Sequence, residues 1–159
     1  AEDRTIKRTG TFFDKMIRDK KIIYTAAAPS GDFDNDGRID LFLTSWWLES
    51  PAMLLKNETP AGHWLDVKVQ GSEQARVNRD GIGALVLIYA AGKSGDAKSL
   101  LGCVEIAAGY GYSSGQAPIA HFGLGAMEAV DLVVRLPHTG REILKPGVKA
   151  NQRLTLSVE

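Results

Sequence analysis

Hydrophobic and polar residues alternate along much of the chain, with the period of two that is typical of half-buried β-strands. The segment His63 to Gln70 shows this alternation most clearly. Short segments rich in Gly, Asn, Asp and Pro separate the apolar runs, and residues of these types form turns. The pattern predicts strands over 21–28, 39–46, 63–70, 82–91, 99–107, 117–122, 130–136, 141–144 and 152–158. With 17 glycines and no convincing long amphipathic helix, the chain is expected to be all-β.

The segment Thr59 to Gly62 has the composition of a linker and divides the chain into two predicted units, 1–60 and 61–159. The second unit has many short strands separated by turns at fairly even intervals. This spacing is typical of an antiparallel β-sandwich, which is the fold predicted for it.

Acidic residues cluster between the predicted strands 21–28 and 39–46. Their carboxylates fall at positions 1, 3, 5 and 9 of a nine-residue loop that has a glycine at position 6. This spacing matches most of the calcium loop of an EF-hand, in which position 7 contributes its main-chain carbonyl. We therefore expect a Ca²⁺ site formed by Asp32, Asp34, Asp36, the carbonyl of Arg38, and Asp40.

Two features limit this interpretation. Leu43 occupies position 12, where an EF-hand has a bidentate Glu, and the residues after the loop predict a strand rather than a helix. A calcium ion in this loop would therefore be a structural clip rather than a regulatory switch. The alternative is a solvated acidic turn, because Asp, Asn and Gly are ordinary turn residues.

Charge and composition narrow the range of partners. The chain has 19 basic and 19 acidic residues, which argues against nucleic acid or an anionic membrane as a partner. No apolar run approaches the roughly 20 residues that span a bilayer. The single cysteine, Cys103, cannot form an intramolecular disulfide and is predicted to be a small buried hydrophobe.

Aromatic residues are the candidates for ligand contact. Tyr110 and Tyr112 lie in the glycine-rich loop 109–115, and Trp47 follows another tryptophan on a predicted strand. Such rings stack on sugars, although the tyrosines could instead pin their loop to the core. No catalytic residue is predicted, because no Gly-x-Ser-x-Gly segment frames a serine and the three histidines are dispersed. The chain is expected not to be an enzyme.

Two stretches resemble known families. The segments 31–43 and 54–58 resemble an FG-GAP/VCBS repeat, the calcium-loop blade of integrin-type β-propellers. Residues 63–159 resemble the ASPIC/UnbV domain of cartilage acidic protein and secreted bacterial proteins. The matching segments are His63-Trp64-Leu65, Asn78 to Ala84, Gly109 to Ser114, His121 to Gly125 and Ala150-Asn151-Gln152.

The resemblance implies a single propeller-type β-hairpin blade, with its calcium loop, packed on the sandwich. One blade cannot bury both of its faces, so the chain is expected to be a fragment or subunit of a larger assembly. The predicted function is a calcium-binding, non-catalytic adhesion or recognition module with a protein or polysaccharide partner at the cell surface. Extracellular calcium modules bind at roughly 10⁻⁴ to 10⁻³ M, which favours a secreted, extracellular or periplasmic location. The alternative is a carbohydrate-binding or accessory domain of a larger secreted enzyme.

Overall fold

The structure, a computed structural model, describes residues 27–45, 52–112 and 114–159. These residues form ten β-strands, one 3₁₀ turn (Ala97–Ser99) and no α-helix, so the all-β prediction is confirmed over them. The strands are β1 Ser30–Gly31, β2 Asp40–Leu43, β3 Met53–Leu55, β4 His63–Gln70, β5 Leu85–Ala90, β6 Leu100–Glu105, β7 Ala120–Gly125, β8 Ala129–Arg135, β9 Glu142–Lys149 and β10 Gln152–Ser157. Most of the predicted strand 21–28 lies outside the described residues.

The described strands form three open sheets, in the orders β1-β2-β3, β10-β4-β7 and β6-β5-β8-β9. Neighbouring strands are antiparallel in every pair but one. Strand β10 runs parallel to β4, with Gln152 opposite Leu65, so the expectation of purely antiparallel sheets is wrong for this pair. The reason is the short turn at Ala150 and Asn151, which carries the chain from β9 in one sheet to β10 in another instead of closing a hairpin.

One hydrophobic core is shared by the two larger sheets. Alternate residues of each strand point into it, as the period of two requires. Burying a side chain of this kind stabilises a fold by roughly 1.5–3 kcal/mol. The largest fully buried members are Leu65, Val67, Val69, Val86, Ile88, Ile106, Leu124, Val130, Leu132 and Val134, and Phe122, Leu136, Leu156 and Val158 are nearly so.

Two local predictions are corrected. Cys103 is exposed rather than buried, because β6 is an edge strand and its alternate residues Leu101, Cys103 and Glu105 face away from the core. The strand predicted over 141–144 is longer than expected, because β9 continues through Pro146-Gly147 to Lys149. The pairing register shifts there, between Val130 and Leu132 of the neighbouring strand, so the irregular residues are accommodated within the sheet.

The carboxylate of Asp131 holds this irregular region together. It is buried and accepts hydrogen bonds from the main-chain N–H groups of Gly147 at 2.9 Å, Gly92 at 2.9 Å and Ser94 at 3.3 Å. These bonds, the one from Gly147 foremost, hold the pKa of Asp131 below its ordinary value of 3.8. The ionised carboxylate therefore stabilises both the 92–95 turn and the bulge in β9.

We predict that Asp131→Asn destabilises the fold, and that the difference depends on pH. Because the folded-state pKa is depressed, the carboxylate's contribution is fully present above the unfolded-state pKa and is lost as pH falls through the folded-state pKa. In chemical denaturation, the stability difference between the protein and the variant should be constant above about pH 5 and should shrink once pH falls below 3.8. A difference that does not change down to strongly acidic pH would contradict this role.

Candidate functional site

Three of the predicted metal-binding carboxylates lie together. One oxygen atom from each of Asp32, Asp34 and Asp40 falls within 4.8 Å of the others. The pairing of β1 with β2 explains this proximity, since Gly31 lies opposite Asp40 and the loop between them is short. Among the described residues, this trio is the only group of three metal-ligating side chains close enough to share an ion.

Main-chain hydrogen bonds orient two of the three carboxylates. Asp32 accepts bonds from the N–H groups of Asp36 and Gly37, each at 3.0 Å. Asp40 accepts bonds from Phe33 N–H at 3.1 Å and from Asn57 N–H at 2.7 Å. Main-chain groups of the loop, together with the N–H of Asn57 after β3, therefore hold the Asp32 and Asp40 carboxylates in place.

Asp36 is not part of this trio. Its carboxylate accepts a hydrogen bond from the main-chain N–H of Arg38 at 3.0 Å and pairs with the Arg38 guanidinium. That guanidinium also donates to the carbonyl of Asn57 at 2.6 Å. Arg38 was predicted to act through its carbonyl, and in this structure its side chain fastens the loop to the residues that follow β3.

Basic side chains offset the remaining charge of the loop. Lys56 Nζ lies 2.5 Å from Asp34 Oδ2 and 3.9 Å from Asp36 Oδ2. Its hydrogen bond to Asp34 is the main cause that lowers the pKa of Asp34, and the same bond raises the pKa of Lys56. Arg153, from β10, donates to Asp32 Oδ2 at 3.2 Å and also bonds to Asn35.

Arg153 connects the loop to a second carboxylate in the larger sheets. Its Nε donates to Asp66 Oδ2 at 3.0 Å, while Asp66 Oδ1 lies 2.7 Å from Nδ1 of His121. Asp66 is buried, and the Trp64 ring stacks near His121 with 6.5 Å between ring centroids. Sequence reasoning missed this connection, because Arg153 and Asp32 are 121 residues apart and no local pattern links them.

A cleft of about 740 Å³ lies between the acidic loop 32–40 and the segment 110–121. Gln116 links its two sides by donating to Ser30 Oγ at 3.0 Å. Both aromatic and polar side chains line it. The lining residues are Pro29, Ser30, Gly31, Asp32, Phe33, Ile39, Phe42, Asp66, Val104, Tyr110, Gly115, Gln116, Ala117, Ile119, His121 and Arg153.

The structure separates the three predicted ligand-contact residues. Tyr110 lines the cleft, and its hydroxyl donates to the carbonyl of Glu105 at 3.3 Å. Tyr112 is 68% exposed and does not line the cleft. Trp47 lies outside the described residues. The part of the chain that the structure describes holds no helix long and apolar enough to span a membrane.

Comparison with known proteins gives one match. The sequence model of a protein family described as ASPIC and UnbV matches residues 73–159, which is more than half of the chain. The matched region begins after the Asp32–Asp40 loop and omits the His63-Trp64-Leu65 segment. No curated protein and no solved structure matches the chain.

Gly37 of the loop lies close against the ring of Trp64 in β4. Its φ is +85°, and a Cβ atom added there would fall 2.0 Å from Cδ1 of Trp64. The positive φ alone costs a non-glycine residue about 1–2 kcal/mol. Glycine is therefore required here for two independent reasons.

We predict that Gly37→Ala destabilises the protein by more than backbone strain alone explains. The matched control is Gly92→Ala, because Gly92 has a φ of +76° and no atom within 4 Å of the added Cβ. Denaturation should give a cost of about 1–2 kcal/mol for the control and a larger cost for Gly37→Ala. Equal costs would show that the contact with Trp64 does not position the loop.

Proposed function

This chain belongs to the ASPIC and UnbV family, and on that premise we propose that it is a calcium-binding, non-catalytic recognition or adhesion module. The proposed location is secreted, extracellular or periplasmic, with a protein or polysaccharide partner at the cell surface. The observation that carries the proposal is the convergence of Asp32, Asp34 and Asp40 within 4.8 Å. Family membership supports the fold assignment, whereas calcium binding rests on the loop.

Calcium is the ion that fits these groups best. It takes six to eight oxygen ligands, often carboxylates together with main-chain carbonyls, in a flexible geometry. Asp32 and Asp40 are already held by main-chain N–H groups and would lose little freedom on binding. In the proposed site these two and Asp34 supply side-chain oxygens. Asp36 and the carbonyl of Arg38 would complete the protein ligands.

Positive side chains would compete with the ion. Lys56 forms an ion pair with Asp34, and a calcium ion bound to that carboxylate would displace it. Arg153 contacts Asp32 through the oxygen that also accepts the Gly37 N–H. Such competition favours the weak binding typical of extracellular calcium modules, roughly 10⁻⁴ to 10⁻³ M.

We further propose that the small sheet β1-β2-β3 is a blade of the FG-GAP/VCBS type, and that the two larger sheets form a β-sandwich. The hydrophobic core shared by the larger sheets supports the second assignment. Leu41 and Leu54 lie on opposite faces of the small sheet, and both are exposed. This exposure supports a chain that acts as a fragment or subunit of a larger assembly.

Calorimetric titration with calcium tests the central proposal. We expect one ion per chain, with a dissociation constant of about 10⁻⁴ to 10⁻³ M, and an increase in melting temperature. Asp34→Asn should weaken binding on the order of tenfold or more, because it removes a charged ligand. The matched control is Asp80→Asn: its side chain is 37% exposed against 38% for Asp34, and it too forms an ion pair, with Arg79 at 3.2 Å.

The control variant, Asp80→Asn, should bind calcium with the same affinity as the unmodified protein. If the protein itself shows no calcium response, the proposed metal site is wrong. If Asp34→Asn binds as tightly as Asp80→Asn, the ion does not occupy the Asp32, Asp34 and Asp40 group.

We also predict that Lys56→Gln tightens calcium binding. The substitution removes a cation that competes for Asp34, and because solvent screens this exposed ion pair, the expected gain in affinity is only about 1.5- to 5-fold. The same titration measures this effect. Lys93→Gln, at an exposed turn, is the control and should leave the affinity unchanged. Weaker binding in Lys56→Gln would mean that Lys56 supports the site rather than competes for it.

A further inference from the structure

The cleft beside the loop has the size and composition of a small-ligand site. Its volume of about 740 Å³ lies within the range of roughly 300–1,000 Å³ that is usual for such sites. Two aromatic side chains at its walls remain accessible: Phe33 is 52% exposed and Tyr110 is 41% exposed. Phe42 and Val104 add further apolar surface.

His121 supplies an oriented hydrogen-bond acceptor in this cleft. Its Nδ1 lies 2.7 Å from the carboxylate of Asp66, which only accepts hydrogen bonds when ionised, so Nδ1 carries the proton. In the neutral imidazole, Nε2 is then an acceptor. The stacked ring of Trp64 and the buried Asp66 hold the imidazole plane in position.

The cleft carries little uncompensated charge. Among its described lining residues, the permanently charged side chains are those of Asp32, Asp66 and Arg153. Arg153 pairs with both carboxylates, at 3.2 Å to Asp32 and 3.0 Å to Asp66. Two carboxylates and one guanidinium leave one negative charge, so an anionic ligand would have to break one of these pairs to reach Arg153, whereas a neutral ligand would not.

We propose that this cleft binds a neutral glycan. A pyranose ring would stack its C–H face on Tyr110 or Phe33, and a hydroxyl group would donate to Nε2 of His121. The edge strands β6 and β7 contribute Val104 and His121 to the cleft, so an extended peptide is the alternative ligand. Separate aromatic surfaces with one fixed acceptor favour the glycan over it. The inference rests on the proposed function as a recognition module and names its ligand class.

The test titrates the full chain, in calcium-containing buffer, with cellohexaose, xylohexaose, maltohexaose and laminarihexaose. Calorimetry should detect binding of at least one of them. In nitrogen NMR spectra of the imidazoles, that sugar should shift the His121 resonances and leave those of His138, an exposed residue outside the cleft, unchanged. Failure of all four sugars to bind overturns the proposal, and so does binding that leaves His121 unmoved.

Variants locate the site. Tyr110→Ala should reduce the affinity for the bound sugar about tenfold. Tyr112 lies in the same loop but outside the cleft, so Tyr112→Ala should bind the sugar with unchanged affinity. His121→Asn retains an amide N–H for Asp66 but has no acceptor at the position of Nε2, and the affinity should also fall about tenfold. Equal affinities in all three variants would reject the cleft as the site.

Two further outcomes separate this proposal from the calcium site. If calcium binds and no sugar does, the glycan assignment fails and the calcium module stands. If a sugar shifts the His121 resonances but the protein does not bind calcium, the glycan proposal is supported and the metal proposal fails. An unstructured peptide that shifts His121 when none of the sugars does would replace the glycan with a different ligand class.

Discussion

The position of the loop depends on one guanidinium group. Arg153 lies between two carboxylates whose side chains are almost fully buried, those of Asp32 in the loop and Asp66 in β4. Two anions in such a setting repel each other strongly, because the interior screens charge far less than water does. The planar guanidinium donates to both from different nitrogen atoms, which a lysine ammonium could not do with the same geometry. The connection between the loop and β4, and with it one part of the cleft wall, follows from this arrangement.

Local patterns were sufficient to predict the elements and part of the site. The strand His63–Gln70 coincides with its predicted bounds, because its alternation is strong and one face is buried. The convergence of Asp32, Asp34 and Asp40 also follows from their spacing within one short loop. Asp36 departs from the expected pattern because a neighbouring cation, Arg38, binds its carboxylate.

Features that depend on contacts between residues far apart in sequence could not be predicted from local patterns. The parallel pairing of β10, the exposure of Cys103 on an edge strand and the place of Arg153 in the site are set by how the sheets assemble. Tyr110 was predicted as a ligand-contact residue from its own loop, and it lines the cleft, whereas the residues across the cleft from it were not predicted. They come from segments far away along the chain, and His121 gains its orientation only from Asp66 and Trp64.

The parallel pairing of β10 has a consequence for the order of assembly. Strand β4 leaves the ribosome long before β10, its neighbour in the sheet, and pairing them closes a loop of more than eighty residues, since Leu65 lies opposite Gln152. Contacts so distant in sequence slow folding and leave strand edges open to aggregation in the meantime. Arg153 belongs to β10 and is therefore synthesised at the same late stage. Arg38 and Lys56 are encoded close to the loop, and both pair with its carboxylates, so they can balance its charge before Arg153 is synthesised. In the nascent chain, ion pairs with Arg38 and Lys56 can thus keep the acidic loop compact before Arg153 has been synthesised.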